Sequence, residues 1–460
     1  MAENQVLAPP GIFKAYDIRG VYGSEMDETT AHAIGRAFAR VLGDLAGKPT
    51  SELCVGVGHD MRLTSPAMSE KLIGGLVAEG ATVLDAGEVA TEVLYYLVGS
   101  RELDGGAAVT ASHNPKAYTG VKLVREGALP LSGDAGIGDV RDLIAAGLPE
   151  PPGGGRAERI DILDGFHEKV LSFIDPARVK TMKVVADGGN GMSGPMVGPL
   201  LRRFGLELVE LYFTPDGELP DHEPNPLLEK NRRLVIDRVL SEQADLGIAW
   251  DGDADRCFFI DDQGVFADGD FITAVLAESL VTKNGGGHVL YDVRASRAVR
   301  DTVAAAGGTS DINRVGHAFF KSRMRETGAI FGGEVSGHYY FRNFYCADSG
   351  TIPALLVLEL LSDRDVKLSE LIGHFRSKYF ISGEINSEVK DTEAKIKEIA
   401  ERYSDAEVDW LDGVSIDYPD WHFNVRPSNT EPLLRLNLES LVSYEHMEEK
   451  RDEVLALIRA

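Results

Sequence analysis

Residues 53–87 read LCVGVGHDMRLTSPAMSEKLIGGLVAEGATVLDAG, and their order settles the fold class. "LCVGVG" (Leu53 to Gly58) is a short apolar run, the pattern of a strand buried on both faces. A helix follows. Thr64 or Ser65 supplies its N-cap and Pro66 its first turn, and Met68, Leu72, Ile73 and Leu76 form its apolar face. "ATVLDAG" is the next strand. Strand, helix, strand in this spacing predicts a parallel or mixed sheet covered by helices.

The rhythm continues outward on both sides. "TEVLYYLVGS" reads as a second helix and "GAAVTAS" as a third strand ending at Ser112. It restarts twice, with "KVVADGGNGM" before the helix "GPMVGPLLRRFG", and with "HVLYDV" before "SRAVRDTVAAAGG". "GLPEPPGGGRAER" (Gly147 to Arg159) is rich in proline and glycine and reads as a linker. From about Ser377 the texture changes to a charged helix ("TEAKIKEIAERYS"), short strands ("HFNVRP", "LLRLNLES") and a terminal helix. The expected fold class is α/β, with three related mixed α/β domains and a smaller C-terminal α+β domain. The expected boundaries are 1–154, 155–262, 263–375 and 376–460.

The chain has 460 residues, 43% of them hydrophobic, as in an ordinary globular protein, and a formal net charge of −26. That charge disfavours nucleic acid and anionic membranes as partners. An anionic substrate would need a locally basic site within an acidic whole. Three widely spaced cysteines form no CxxC or zinc pattern, so a reducing, cytoplasmic setting is expected. The N-terminus lacks the basic and apolar regions of a signal peptide. The most apolar run, "IPALLVLELL", is far short of the ~20 residues of a membrane span.

Sites in open α/β sheets gather at the carboxyl ends of strands, and four polar loops stand out there. The first is "VTASHNPKAYTGVKLV" (Val109 to Val124), where Ser112 sits between small residues and a proline, with Lys122 on the following run. It is not a GxSxG elbow, so a serine hydrolase is a poor reading. The second is "WDGDADRCF" (Trp250 to Phe258). Asp251, Asp253 and Asp255 alternate with small residues, and in an extended segment they would point the same way. Three converging carboxylates need a cation between them, and hard oxygen ligands suit Mg²⁺. An EF-hand is excluded by Arg256 at its glycine position. The third is "FGGEVSGHYYF" (Phe331 to Phe341), whose Glu334, Ser336 and His338 also alternate. A carboxylate and a hydroxyl pointing the same way can bridge vicinal sugar hydroxyls. The fourth is "NVRPSNTEPLLRL" (Asn424 to Leu436). Arg426 offers a planar fork of donors, and Ser428, Asn429 and Thr430 offer more over a tight turn, the chemistry of a phosphate cradle.

"FKAYDIRGVYG", "TASHNP", "DGDADR", "GGEVSGH" and "RPSNTEP", in this order from Phe13 to Pro432, resemble the α-D-phosphohexomutase family, and most nearly its bacterial phosphomannomutase/phosphoglucomutase type. The resemblance covers essentially the whole chain. It implies four domains around one deep cleft and a phosphoryl group carried on Ser112. It implies Mg²⁺ on Asp251, Asp253, Asp255 and the phosphoserine. Glu334 and Ser336 would hold sugar hydroxyls, and Arg426, Ser428, Asn429 and Thr430 the non-reacting phosphate. Tyr16, Arg19, Lys122, His317 and His338 fall where the family lines its active site. Arg256 and Lys122 would help neutralise the transferring group. The general base stays open among His317, His338, Lys122 and Arg19. Two positions depart from the family's pattern: Arg294 stands where many relatives have lysine, and Pro427 where many have alanine.

The implied activity is interconversion of hexose 1-phosphate and hexose 6-phosphate, of mannose, glucose or both, through a hexose 1,6-bisphosphate. The alternatives are a metal-dependent sugar phosphatase and a phosphoglucosamine mutase. The expected partners are small sugar phosphates, with no nucleic acid or membrane, and the expected state is a monomer or weak dimer.

Overall fold

The computed structural model describes residues 8–132, 136–428 and 433–460. The chain forms two compact units. One runs to Phe266 and takes in His338–Lys367; the other holds Ala267–Gly337 and Leu368–Ala460.

In the first unit, Cys54–His59, Thr82–Glu88 and Gly105–Val109 are strands, with Ser65–Ala78 and Thr91–Ser100 as the intervening helices. Cys54–His59 lies between the other two strands and pairs parallel with both. Tyr118–Arg125 then returns antiparallel to Gly105–Val109, and Ile18–Val21 pairs antiparallel with it in turn, so the sheet is mixed. Val55, Val57, Val83, Ala107, Val109, Val121 and Leu123 form its core with Met68, Leu72 and Leu76 of the first of these helices.

Three local expectations are corrected. Thr64 occupies the N-cap position but makes no side-chain cap; the neighbouring Ser65 hydroxyl bonds to Asp60 instead. The strand before Ser112 stops at Val109, so Ser112 stands in a loop. Part of the expected linker, Arg156–Arg159, is a strand parallel to Thr82–Glu88. Its side chains are all exposed, so backbone pairing and an exposed Arg159–Asp85 ion pair at 3.0 Å hold it, and no apolar pattern marked it.

The second sheet of this unit carries Cys257–Ile260, Leu246–Trp250, Lys183–Asp187 and Glu207–Leu211 side by side. Leu246–Trp250 and Cys257–Ile260 are antiparallel, with Trp250 opposite Cys257. The aspartate loop joins their ends.

In the second unit, His288–Asp292 pairs parallel with Thr309–Asn313 and Phe331–Gly333. The C-terminal part is an antiparallel sheet built on Trp421–Pro427 and Leu433–Ser440. Thr392–Arg402 and Tyr444–Arg459 pack their apolar faces on it through Ile396, Ile399, Met447, Val454 and Ile458. Among the described residues no helix is long and apolar enough to cross a membrane.

Candidate active site

The first unit gathers Ser112, Lys122, the three aspartates, Arg256, Arg19 and His338. Ser112 has φ +50°, a left-handed conformation uncommon outside glycine. Its N–H donates to the Thr110 hydroxyl and its Oγ donates to Asp251 Oδ2 at 2.7 Å. His113 Nδ1 lies 3.1 Å from the same Oγ. Burial, with Arg256 and Arg19 nearby, pushes the His113 pKa well below its usual value, so this imidazole is neutral near pH 7.

The aspartate loop is a tight turn and not an extended segment. Ala254 donates its N–H to the Asp251 carbonyl and has φ +58°. The convergence expected from extended alternation is real but comes from this turn, which brings ligand oxygens of all three carboxylates within 4.8 Å of one another. Gly252 matters here because a Cβ would stand 2.6 Å from the Ser112 carbonyl oxygen. Only glycine lets the serine loop approach this closely.

Asp251, Asp253 and Asp255 are fully buried. Lys122, opposite Ala108 in the sheet, bonds Asp253 Oδ2 at 2.7 Å and Asp255 Oδ2 at 2.5 Å. Burial opposes the Lys122 charge, but Asp253 and Asp255 outweigh it and raise the pKa. Burial and then Asp253 push the Asp255 carboxyl well up. Arg256 Nε donates to Asp251 Oδ2 at 2.9 Å. Asp253 Oδ1 and Asp255 Oδ1 have no hydrogen-bond partner among the described residues. Buried, unsatisfied carboxylate oxygens in a hard-oxygen cluster fit a divalent cation such as Mg²⁺.

His338 is paired through its backbone with Arg256, and its Nε2 stands 3.6 Å from Asp255 Oδ1. Arg19 lies opposite Gly120 in the sheet, pairs with Asp17 at 2.6 Å and bonds Asn114 Oδ1 at 2.5 Å. Tyr16 is half-buried two residues before Ile18–Val21.

Two residues of this site escaped sequence reasoning. The Thr91 hydroxyl donates to Asp253 Oδ2 at 2.6 Å. Arg62, 1% exposed, donates to four carbonyls of the serine loop: Ser112 at 2.7 Å, Asn114 at 2.6 Å, Pro115 at 3.0 Å and Tyr118 at 3.2 Å. It also pairs with buried Asp60 at 3.3 Å. A charged side chain following a buried strand was the available signal for Arg62.

The second unit gathers the remaining expected residues. Arg294 follows His288–Asp292 and is held by Asp292 through Nε at 3.0 Å and Nη2 at 2.8 Å. Glu334 follows Phe331–Gly333, is 1% exposed and accepts the Gly316 N–H at 2.8 Å. Arg294 Nη2 lies 3.9 Å from it. The expected alternation of Glu334, Ser336 and His338 gives way to a turn, closed by Gly337 N–H on the Glu334 carbonyl. Half-buried Ser336 lies in that turn. His317 opens the helix His317–Thr327. Arg426 is buried in Trp421–Pro427, and Ser428 follows with its N–H on the Leu433 carbonyl. Pro427 lies opposite Leu434 at the strand end. Asn429 and Thr430 fall outside the described residues.

Four family domains match in order: phosphoglucomutase/phosphomannomutase alpha/beta/alpha domain I at residues 10–146, domain II at 163–264, domain III at 268–379 and the C-terminal domain at 384–457. The chain is 42% identical over 456 residues to a phosphomannomutase of Escherichia coli K12, covering 97% of this chain and 98% of that one. It is 42% identical over 454 residues to a protein named phosphohexose mutases in Xanthomonas campestris, covering 97% and 99%. A solved phosphoglucomutase/phosphomannomutase family protein from Burkholderia thailandensis superposes with a TM-score of 0.89 at 33% identity, over 98% of this chain and 97% of that one. With every family domain in place and these identities over nearly the full length, the chain belongs to the phosphoglucomutase/phosphomannomutase family of phosphotransferring mutases.

Proposed function

We propose that the protein interconverts the 1- and 6-phosphates of glucose and mannose, with Ser112 as phosphoryl carrier and the hexose 1,6-bisphosphate as intermediate. The observation that carries this reading is the Ser112 hydroxyl, 2.7 Å from Asp251 in a buried carboxylate cluster. A phosphoserine dianion beside three carboxylates would be strongly repelled without added positive charge. Asp251, Asp253 and Asp255 would hold Mg²⁺, which when bound supplies positive charge against the transferring group.

In the forward step the phosphorus–Oγ bond of Ser112 breaks as a free sugar hydroxyl oxygen bonds to phosphorus. The hydroxyl proton is given up and Ser112 ends as the neutral hydroxyl. The second step reverses this with the other phosphate of the bisphosphate. Arg256, fixed by Asp251, and Lys122, fixed by Asp253 and Asp255, present cationic donors to phosphoryl oxygens. Arg62 fixes the serine loop by its carbonyls. Arg19 stays charged at any working pH, and the Asp253 and Asp255 carboxylates that raise the Lys122 pKa against its burial keep that ammonium protonated, so both serve as donors, which leaves His317 and His338 as candidates for the proton acceptor. Tyr16 completes the contacts proposed for the first unit. Arg294, Glu334, Ser336, Arg426, Ser428, Asn429 and Thr430 act in recognition: the carboxylate and hydroxyl on the sugar, the others on the non-reacting phosphate. A cytoplasmic location and a monomer or weak dimer belong to the same reading.

The test is incubation of the protein with glucose 1-phosphate, Mg²⁺ and a trace of glucose 1,6-bisphosphate, following both products. Glucose 6-phosphate without inorganic phosphate is the expected result. Stoichiometric inorganic phosphate would instead make the protein a phosphatase.

A further inference from the structure

Arg426 and Arg435 lie directly opposite each other on adjacent antiparallel strands. Directly opposed side chains share a face, and like charges there destabilise a sheet. Arg294 adds a third guanidinium to the same group. The carboxylate that joins them is Glu384, which belongs to none of the sequence motifs. It follows Gly383, whose φ is +67°, in the short connection between Phe380–Ile381 and Ile385–Glu388. Both of those strands pair with Leu433–Ser440, the strand that carries Arg435.

Glu384 Oε1 accepts from Arg435 at 3.1 Å, while Oε2 lies 3.5 Å from Arg294 Nη1 and 3.6 Å from Arg426 Nη2. These contacts are long for charge-assisted bonds, which run at about 2.7–2.9 Å. The Glu384 side chain is 26% exposed, against 7% for Arg426 and Arg294. Arg426 Nε and Arg435 Nε have no hydrogen-bond partner among the described residues. Arg435 Nη2 also reaches the Ser428 hydroxyl at 3.4 Å. Asp292 already holds Arg294, but Glu384, a quarter exposed, is the carboxylate that Arg426 and Arg435 share, and it leaves donors on both unused. A phosphate monoester brings three acceptor oxygens and nearly twice the charge, and matches the group better.

We propose that Glu384 is a resident counter-anion that the phosphate of the substrate displaces, and that Arg435 is a binding arginine of the same site. Glu384 holds three like charges together when no ligand is bound and competes with the ligand for them. The natural ligand's identity rests on the mutase reading; the anion site itself does not.

The experiment is calorimetric titration of the whole protein with inorganic sulfate, a dianion that is not turned over. Arg426→Gln marks which binding event belongs here, because that event is lost in it. Glu384→Gln is expected to lower the sulfate Kd about 3- to 10-fold, and Arg435→Gln to raise it by a similar factor. An unchanged or higher Kd in Glu384→Gln would overturn the displacement and make Glu384 a strut that arranges the arginines. An unchanged Kd in Arg435→Gln would remove Arg435 from the site. Near-UV circular dichroism checks the fold of each variant, and Arg435→Lys, expected to lose less, replaces Arg435→Gln should that variant not fold. Sulfate behaviour as expected in a protein without mutase activity would uphold the site and reject the activity. Mutase activity with an unchanged Kd in Glu384→Gln would do the reverse.

Discussion

The carboxylate cluster of the first unit and the arginine cluster of the second are opposite in sign and in construction. Around the aspartates, Lys122 and Arg256 close their contacts at 2.5–2.9 Å, and every member is nearly inaccessible. Around Arg426 and Arg435, Glu384 reaches only 3.1–3.6 Å and is a quarter exposed. Buried charges must be paired at all times, because an uncompensated one costs several kcal/mol. Glu384, a quarter exposed, can leave its cluster at lower cost because water takes over its carboxylate, while an incoming anion takes over the buried guanidiniums. The first cluster therefore suits chemistry that needs fixed charge, and the second suits a ligand that must come and go. Substitutions in the first should damage both stability and turnover, and substitutions in the second should act mainly on binding.

The largest effect is expected where chemistry is lost without loss of charge balance. Ser112→Ala removes one hydroxyl and leaves every ion pair of the cluster in place. Turnover should fall at least ~10³-fold because the covalent route disappears, while stability drops by only about 1–2 kcal/mol. Intact-mass analysis should find a partial phosphoryl adduct on the wild type and none on the variant. Near-normal turnover would remove Ser112 from the reaction.

Asp253→Asn should lower both quantities. It weakens the Lys122 pair and takes away an anionic metal ligand. We expect about 10²- to 10³-fold lower turnover together with about 3–5 kcal/mol of lost stability. Steady-state kinetics over a Mg²⁺ series and chemical denaturation measure the two. Full activity in excess chelator, or an unchanged denaturation midpoint, would break the contrast between the clusters.

Arg62 tests whether the serine loop must be held as tightly as the carboxylates. Arg62→Lys keeps the pair with Asp60 but cannot serve four carbonyls. A loop displaced by about 1 Å should cost about 10²-fold in kcat with KM nearly unchanged. A fall in stability alone, with kcat intact, would make Arg62 purely structural.

Arg62 also shows where sequence reading stops. The strand Cys54–His59 was legible as an unbroken apolar run, and the helix Ser65–Ala78 because its burial recurs at helical spacing. Ser112, the aspartates and Arg426 were legible because each lies in a compact polar motif. The work of Arg62 depends on carbonyls 50 to 56 residues further on, and that of Glu384 on arginines from three separate segments. Backbone acceptors carry no sequence signature, and neither residue has a local pattern. The aspartate loop was read to the right convergence through the wrong backbone, because a turn and an extended segment can both place alternate residues together. The strand Arg156–Arg159 was missed because pairing without burial leaves no periodicity to read.

The smallest effect is expected between sugars. In the proposed reaction, Glu334 and Ser336 of the second unit face the 3- and 4-hydroxyls. Glu334 is fixed by the Gly316 N–H and flanked by Arg294, so the carboxylate has a set orientation. Glucose and mannose share those two hydroxyls and differ only at C2, for which no reading residue is identified. A site discriminates strongly when a substrate leaves one of its buried polar groups unpaired, and neither sugar would do so. Glucose 1-phosphate and mannose 1-phosphate should both be turned over, with kcat/KM values no more than about 10²-fold apart, a gap of at most ~3 kcal/mol. Glucosamine 1-phosphate should be the poorest of the three, since its ammonium group brings a charge to C2 with no counter-ion assigned to it. Parallel kinetics on the three sugars measure this. A preference above about ten-thousandfold for either hexose would mean that the second unit reads C2 through a contact as fixed as those around the aspartates, and the proposed division between a rigid transfer cluster and an adaptable recognition cluster would fail.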